Sequence, residues 1–421
     1  MTRADPPGTA ARRAALRLLD AVLRKGLPLE AALDTAARDL DRGDDRAFAH
    51  AIAAEALRRL PDLDALIDGA TRQNLPHDAK ARFALRIALV QALALGTPPH
   101  AAISTVLPLV DGGPRKLVHG VFGALMRGGA RLPDVPTLPD PVARRWEKAW
   151  GPDAVAAAAR LIAAPPPLDL AGDPPGDAEG FSLMPGHLRL PRRTQVAGLT
   201  GYGEGAADGS GRWWVQDIAA ALPARLLGPG EGRAALDLCA APGGKTMQLA
   251  AAGWRVTALD LSESRLARLR ENLVRTGLEA EVVAADLMRW APGRPFDAVL
   301  LDAPCSATGI FRRHPDVLHR VRPAAIAELA EAQKAMLARA AAWLKPGGTL
   351  VYSVCSLEPE EGERVADAAP ADLAPAPIAP DLLPAGLVPD GHRLRILPGA
   401  LEAEGGADSF FMARFVRKSG G

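Results

Sequence analysis

From residue 234 onward the chain alternates short apolar runs with amphipathic helical segments, and this alternation constrains the fold more than any other feature. "AALDLCA", "RVTALD", "EAEVVAAD", "FDAVLLDAP", "GTLVYSVCS" and "SFFMARFV" read as strands. Between them "TMQLAAAG", "SESRLARLRENLVRTG" and the long "PAAIAELAEAQKAMLARAAAWL" read as helices. Strands joined through helices pair in parallel, with the helices lying on the faces of the sheet. The pattern therefore predicts an α/β, Rossmann-like doubly wound sheet. In such sheets ligands sit at the carboxyl ends of the strands, so chemistry is expected just after each apolar run.

The N-terminal part behaves differently. Residues 9–130 show only helical periodicity, as in "RRAALRLLDAVL", "RAFAHAIAAEALRRL" and "KARFALRIALVQALAL", with short Gly/Pro/Asp breaks between segments. This predicts an all-α domain of six or seven helices over residues 1–135. From "RLPDVPTLPDP" the chain turns Pro-rich. A single helix is expected from "VARRWEKAW" to about Ile162, followed by the linker-like "APPPLDLAGDPPGDAEG". Residues 136–212 are thus a linker and small pre-catalytic subdomain, glycine-rich from 180 and without a legible pattern. Residues 213–421 form the doubly wound domain.

Composition adds limits. Basic and acidic residues nearly cancel, 50 against 49, but residues 1–150 hold 22 Lys/Arg against 17 Asp/Glu. That tilt would suit an N-terminal domain facing an anionic partner. The three cysteines, Cys239, Cys305 and Cys355, offer no disulfide framework and no CxxC pair for zinc, so no metal is expected. The start of the chain lacks an apolar signal core, and no run approaches a membrane span. Its arginines could suggest a transit peptide, but an amphipathic helix from Thr9 accounts for them. A cytoplasmic, reduced protein without a membrane partner is expected.

The first βα turn, "LDLCAAPGGKT", is the natural cradle for a nucleotide: small residues admit the backbone close to a ligand, and a helix N-terminus follows. The dinucleotide fingerprint G-x-G-x-x-G is absent. "GGKT" suggests a P-loop, yet that pattern needs Gly where Cys239 stands. A P-loop nucleotidase with Asp302 as its magnesium carboxylate stays open. Asp260, Asp286 and Asp302 end or follow strands, and Asp260 is placed to accept ribose hydroxyls. Such acids also commonly cap the next helix. Together with the glycine turn they favour an adenosine-type ligand.

Cys305 and Cys355 stand at the carboxyl ends of what should be adjacent strands, and each is followed by serine. A thiolate is the strongest nucleophile available near neutral pH, whereas a strand-end cysteine is often only a small buried hydrophobe. Spacing alone leaves both readings open. "FRRHPD" places Arg312, Arg313 and His314 close behind Cys305 in sequence, where they could contact phosphates, tune the thiol or form a solvated loop.

In order and spacing, "LDLCAAPGGKT", "LDAPCSATGIFRRHPD" and "YSVCSLEPEEGE" resemble the motifs of S-adenosylmethionine-dependent RNA cytosine-5 methyltransferases of the Sun/Fmu/NOL1 family. The N-terminal domain, above all "DRAFAHAIAAEALRRLPDLDALI", resembles the NusB RNA-binding fold. The resemblance covers most of the chain and is weakest between about 140 and 210. It implies methyl transfer from S-adenosyl-L-methionine to carbon 5 of a cytosine in RNA, most readily small-subunit ribosomal RNA. It also implies that the loop Cys239, Ala240, Ala241, Pro242, Gly243, Gly244 and Lys245 wraps the methionine and ribose parts of the cofactor. Asp260 would hold the ribose, Asp286 would lie beside the adenine, and Asp302 would face the reacting methyl and the cytosine edge. Cys355 would be the nucleophile and Cys305 the cysteine that assists breakdown of the covalent intermediate. A monomer is expected.

The chemistry explains the need for a thiol. Carbon 5 of cytosine is too weak a nucleophile to take a methyl group directly, and thiolate addition at carbon 6 creates an enamine-like intermediate that can. An acid near the ring nitrogen, Asp302 by position, would stabilise that adduct. Departures from the family pattern are Val354 in place of Thr, Ala307 in place of Gly, "DSFF" in place of "DGFF", and "PPPLDLAGDPP" without the usual Arg-Val-Asn. A non-catalytic RNA-binding factor that keeps the fold as a scaffold is the reading from another class. The paired thiols speak against it.

Overall fold

The computed structural model describes residues 6–163, 165–192, 194–202 and 211–419. The chain forms two compact units, Met1–Ala164 with Phe311–Val321, and Pro165–Ile310 with Arg322–Gly421.

The first unit is helical: α1 (Thr9–Leu23), α2 (Leu29–Ala36), α3 (Gly43–Arg58), α4 (Leu60–Gly69), α5 (Lys80–Leu93), α6 (Pro99–Val106), α7 (Gly112–Arg127), α8 (Asp140–Trp150) and α9 (Pro152–Ile162). Helix α5 is the centre, buried without a break from Ala81 to Gln91. Its two arginines are therefore buried as well, and both are paired. Arg86 makes two 2.8 Å bonds to the carboxylate of Asp64, and Arg82 reaches Asp68 and, at 3.2 Å, Asp64. Buried charges persist only when paired in this way. The single helix expected up to Ile162 is instead two. Gly151, at φ 84° and ψ 170°, breaks the chain and Pro152 opens the next helix.

The segment that carries "FRRHPD" also belongs to this unit. Phe311 packs on Trp146 at 5.4 Å between ring centroids, and Asp316 accepts from the Leu29 amide at 3.4 Å. In the short helix that follows, His319 meets the Leu57 carbonyl at 2.7 Å, and burial pushes its pKa down to about 4. Arg312 is 1% exposed. The solvated loop considered for Arg312, Arg313 and His314 is not what forms.

The second unit opens with a three-stranded antiparallel sheet, ordered β2 (His187–Leu190), β1 (Leu168–Gly172) and β3 (Trp213–Val215). Sequence reading placed a linker here. Leu168 pairs with Leu190 and Leu170 with Val215, across gaps too long for local periodicity to reveal. Arg189 and Asp169, both buried, form a two-pronged pair at 2.7 and 2.8 Å, and Asp169 also accepts from the Ile218 amide at 3.0 Å. That last bond fixes the small sheet to α10 (Ile218–Arg225).

The main elements follow: β4 (Ala234–Leu238), α11 (Gly244–Ala251), β5 (Arg255–Asp260), α12 (Glu263–Thr276), β6 (Glu281–Ala284) and β7 (Phe296–Asp302). After the short helix α13 (Val317–Arg320) come α14 (Pro323–Ala342), β8 (Leu344–Val354), α15 (Glu363–Asp367), β9 (Leu373–Pro375), β10 (Arg393–Ile396) and β11 (Phe410–Arg417). The sheet runs β10-β11-β8-β7-β4-β5-β6, with β9 beside β11. Strands β6, β5, β4, β7 and β8 are parallel, and β11 enters antiparallel against β8. The order reverses at β4, which is where a doubly wound sheet opens its ligand crevice. Among the described residues no helix is long and apolar enough to cross a membrane.

Candidate active site

Strand β4 is buried along its whole length, and yet it carries an acid. Asp237 is 0% exposed. Thr246 on α11 donates to its Oδ2 at 2.6 Å, while Oδ1 finds no partner among the described residues. Burial pushes this carboxyl up to about 7, with the Thr246 bond and the charge of Lys245 opposing. Asp237 lines a cavity of about 760 Å³ together with Cys239, Ala240, Ala241, Pro242, Gly244, Lys245 and Asp302. Opposite the loop, Trp213, Trp214 and Gln216 from β3 and its exit close the wall. Gly243 turns away, and a Cβ there would meet Leu269 of α12 at 2.9 Å. The signal for Asp237 lies in the sequence: an acid inside a strand buried on both faces needs a reason.

Lys245 joins the loop to the neighbouring strand. Its ammonium meets Asp302 Oδ2 at 2.7 Å, and Ser353 of β8 donates to Asp302 Oδ1 at 2.8 Å. Burial pulls the Lys245 pKa down, but the Asp302 carboxylate and the nearby Cys355 more than offset it, so the group stays an ammonium. The family resemblance implied that Lys245 belongs to the cofactor loop and that Asp302 faces the reacting methyl and the cytosine edge. Only the crossover that sets β4 beside β7 joins them into an ion pair.

The two thiols are brought together. Strands β7 and β8 pair in parallel with Asp302 opposite Ser353, and the loops beyond carry Cys305 and Cys355 to a sulfur–sulfur distance of 3.5 Å. The hydrogen bond to Cys355, then burial, push the Cys305 thiol well above its usual range. Either sulfur can donate in this contact, and the shift of Cys305 favours its protonated form. Cys239 is pushed up to about 12 by burial and so is inert. Two of the departures from the family pattern, Ala307 and Val354, neighbour this pair in sequence. Ala307 has a φ of 57°, in the left-handed region where glycine is at ease, and Val354 is fully buried in the core against which Cys305 also packs. At Gly309 a Cβ would stand 2.0 Å from the Ser409 carbonyl oxygen. That close approach lets Gly309 N donate to the Cys355 carbonyl at 3.0 Å.

Two further acids lie off the cavity. Asp260 is 3% exposed and accepts from the amides of Ala241 (3.1 Å) and Ser262 (2.9 Å), so it also braces the glycine loop. Asp286 is partly exposed and accepts from the Met288 amide at 2.9 Å. Next to them Leu261 and Met288 are 75% and 41% exposed. Apolar side chains standing out beside strand-end acids are a signal that acid counting overlooked.

Comparison with known proteins places these features in a group. A model of the 16S rRNA methyltransferase RsmB/F family matches residues 224–416, and a model of the NusB family matches residues 9–126. The chain is 33% identical to ribosomal RNA small subunit methyltransferase B of Pseudomonas syringae, covering 96% of each chain. It is 34% identical to the protein of that name from Xylella fastidiosa, covering 97% of this chain and 98% of that one. Among solved structures, PH0851 superposes with a TM-score of 0.72 at 21% identity, covering 98% of this chain and all of that one. NSun6 from Pyrococcus horikoshii superposes with a TM-score of 0.53 at 19% identity, covering 67% and 99%. At these identities the superpositions speak for the fold alone.

Proposed function

This chain belongs to the 16S rRNA methyltransferase RsmB/F family, and from that premise we propose that it methylates carbon 5 of a cytosine in small-subunit ribosomal RNA through a bond between Cys355 and carbon 6. The observation that carries the reading is the pair of sulfur atoms 3.5 Å apart at the ends of adjacent strands; the contact with Cys355 and burial both favour a protonated Cys305. A Cys305 thiol that donates to Cys355 Sγ stabilises Cys355 as the attacking thiolate.

The residues present fit S-adenosyl-L-methionine. The unpartnered Asp237 Oδ1 offers an acceptor for the amino group of the methionine part, and the Cys239–Lys245 loop lines the same cavity. Asp260, Leu261, Asp286 and Met288 would hold the ribose and adenine, with the two apolar side chains covering the base. When bound, the cofactor supplies an electrophilic methyl group on a sulfonium. Lys245 and Asp302 together present a donor beside an acceptor, which matches the ring nitrogen and exocyclic amine of cytosine. As the Cys355 thiolate adds to carbon 6, negative charge builds towards the ring nitrogen, and the Lys245 ammonium is placed to stabilise it. After carbon 5 is methylated, a base takes up its proton, the ring double bond is restored and Cys355 leaves as a thiolate. Cys305 donates its hydrogen bond to the departing sulfur.

Two variants test this. Cys355→Ala should abolish methyl transfer and leave cofactor binding intact. Cys305→Ala should accumulate a covalent protein–RNA adduct, visible as a denaturant-resistant band, because release fails. Full activity of Cys355→Ala would refute the assignment of the nucleophile. Bisulfite sequencing of 16S RNA from cells lacking the protein should show one cytosine newly converted, and this identifies the target.

A further inference from the structure

The serine that follows each cysteine remains unexplained by the reaction. Ser306 and Ser356 are both buried, 5% and 0% exposed, and they converge on one group. Glu361, itself 0% exposed, accepts from the Ser306 amide at 2.8 Å and from Gln333 Nε2 at 3.2 Å through Oε1. Through Oε2 it accepts from the Ser356 hydroxyl at 2.5 Å and from the Ser306 hydroxyl. One carboxylate is thus the shared acceptor of the residues next to both thiols. Burial raises the Glu361 pKa while the bonds from Ser306, Ser356 and Gln333 oppose it; to the extent that the acceptor is ionised these are the stronger kind of hydrogen bond, roughly twice a neutral pair. The hydroxyl contacts of Thr308 to the same serines, 3.4 and 3.5 Å, are longer and neutral. The frame around the carboxylate is fixed too: Tyr352 donates to the Glu361 carbonyl, and Gln333 Nε2 donates to the Pro304 carbonyl at 2.8 Å.

We propose that Glu361 is a positioning residue that sets the distance between the Cys305 and Cys355 sulfur atoms. The loop after β7 and the loop after β8 touch directly, through Ser306 and Ser356 at 3.1 Å, Leu357 N to Thr308 at 3.0 Å and Gly309 N to the Cys355 carbonyl, and Glu361 ties them further by binding Ser306 and Ser356 at once. The proposal rests on the two-thiol mechanism for its effect on turnover, although the geometry can be read without turnover. Glu361→Gln keeps the shape of the side chain but exchanges one acceptor oxygen for a donor. That donor would face either the Ser306 amide or the serine hydroxyls.

The direct readout is the equilibrium of the dithiol with glutathione disulfide. Cys305 and Cys355 each give up one proton and one electron to form the S–S bond, and one glutathione disulfide is reduced to two glutathione molecules. Peptide mapping identifies the linked pair. In the wild-type protein the two thiols should show a high effective concentration. In Glu361→Gln it should fall roughly 10-fold or more, and kcat should fall roughly 100-fold, the order expected for a misplacement of about 1 Å. KM for S-adenosylmethionine should not change. Ser356→Ala removes one arm of the clamp, should shift both quantities in the same direction by less, and carries the test if Glu361→Gln fails to fold. Wild-type effective concentration and kcat in a folded variant, checked by circular dichroism and cofactor binding, would overturn the proposal. A Cys355→Ala protein that still methylates would defeat the mechanism while leaving the effect of Glu361→Gln on the dithiol as its own measurement.

Discussion

Replacing Asp237 with Asn should make the protein more stable above neutral pH and weaken its hold on the cofactor. The carboxyl titrates near 7 in the folded protein against 3.8 for an unperturbed aspartate. Between those values the folded state keeps a proton that the unfolded chain has released. Stability therefore falls as pH rises through that window. The shift of about three units corresponds to a loss of about 4 kcal/mol by roughly pH 8. Asn cannot ionise, keeps an oxygen for the 2.6 Å bond from Thr246, and so should remove most of that slope. Denaturant unfolding of both proteins at a series of pH values measures it directly. The curves should meet below about pH 4, diverge as pH rises towards 7 and keep a constant gap above it, with the variant on top. The same substitution puts an amide where an ammonium is expected, so S-adenosylmethionine should bind roughly 10- to 100-fold more weakly, the worth of a hydrogen bond to a charged group. Parallel stability curves for the two proteins would refute the burial reasoning. Unchanged cofactor affinity would remove Asp237 from the site.

Two further expectations concern the supports of the site. Against the upward pull of burial, Arg189 and His187 hold the Asp169 carboxyl well below its usual range, so this stabilisation is present at neutral pH and lost as acid protonates the group. Arg189→Ala leaves Asp169 buried without its main partner and should cost about 3–5 kcal/mol in denaturant unfolding. Ala307→Gly relieves a left-handed backbone worth roughly 1 kcal/mol, partly cancelled by the greater freedom of glycine in the unfolded chain. The unfolding midpoint should rise slightly with kcat unchanged; a fall in stability would show that Ala307 is not strained.

What could be read from the sequence is what depends on neighbours along the chain. The alternation of apolar runs and helical segments specifies strands and helices because each must bury one face. Parallel strands joined by helices then place the residues after each run at one edge. That is why "PCS" and "VCS" could be assigned to a shared edge, and why the glycine turn after β4 could be placed beside them. The motifs also carried the family resemblance, since they are short and contiguous.

The rest depends on segments distant along the chain, whose spacing carries no local period. The small sheet of β1, β2 and β3 escaped because its register joins Leu170 to Val215 across a glycine-rich stretch. Lys245 and Asp302 are 57 residues apart, and nothing in either motif announces that they share a proton-bearing pair. The orphaned oxygen of Asp237 appears only when the partners of a buried group are counted. Glu361 looked like one acid in the run "EPEEGE"; Glu358 is equally buried, and what distinguishes Glu361 is that its donors belong to the residues that follow the two cysteines. Sequence determined that two thiols would stand at one edge of a sheet. Tertiary structure decided that they stand 3.5 Å apart and that one buried acid, Glu361, accepts from the residues that follow both of them.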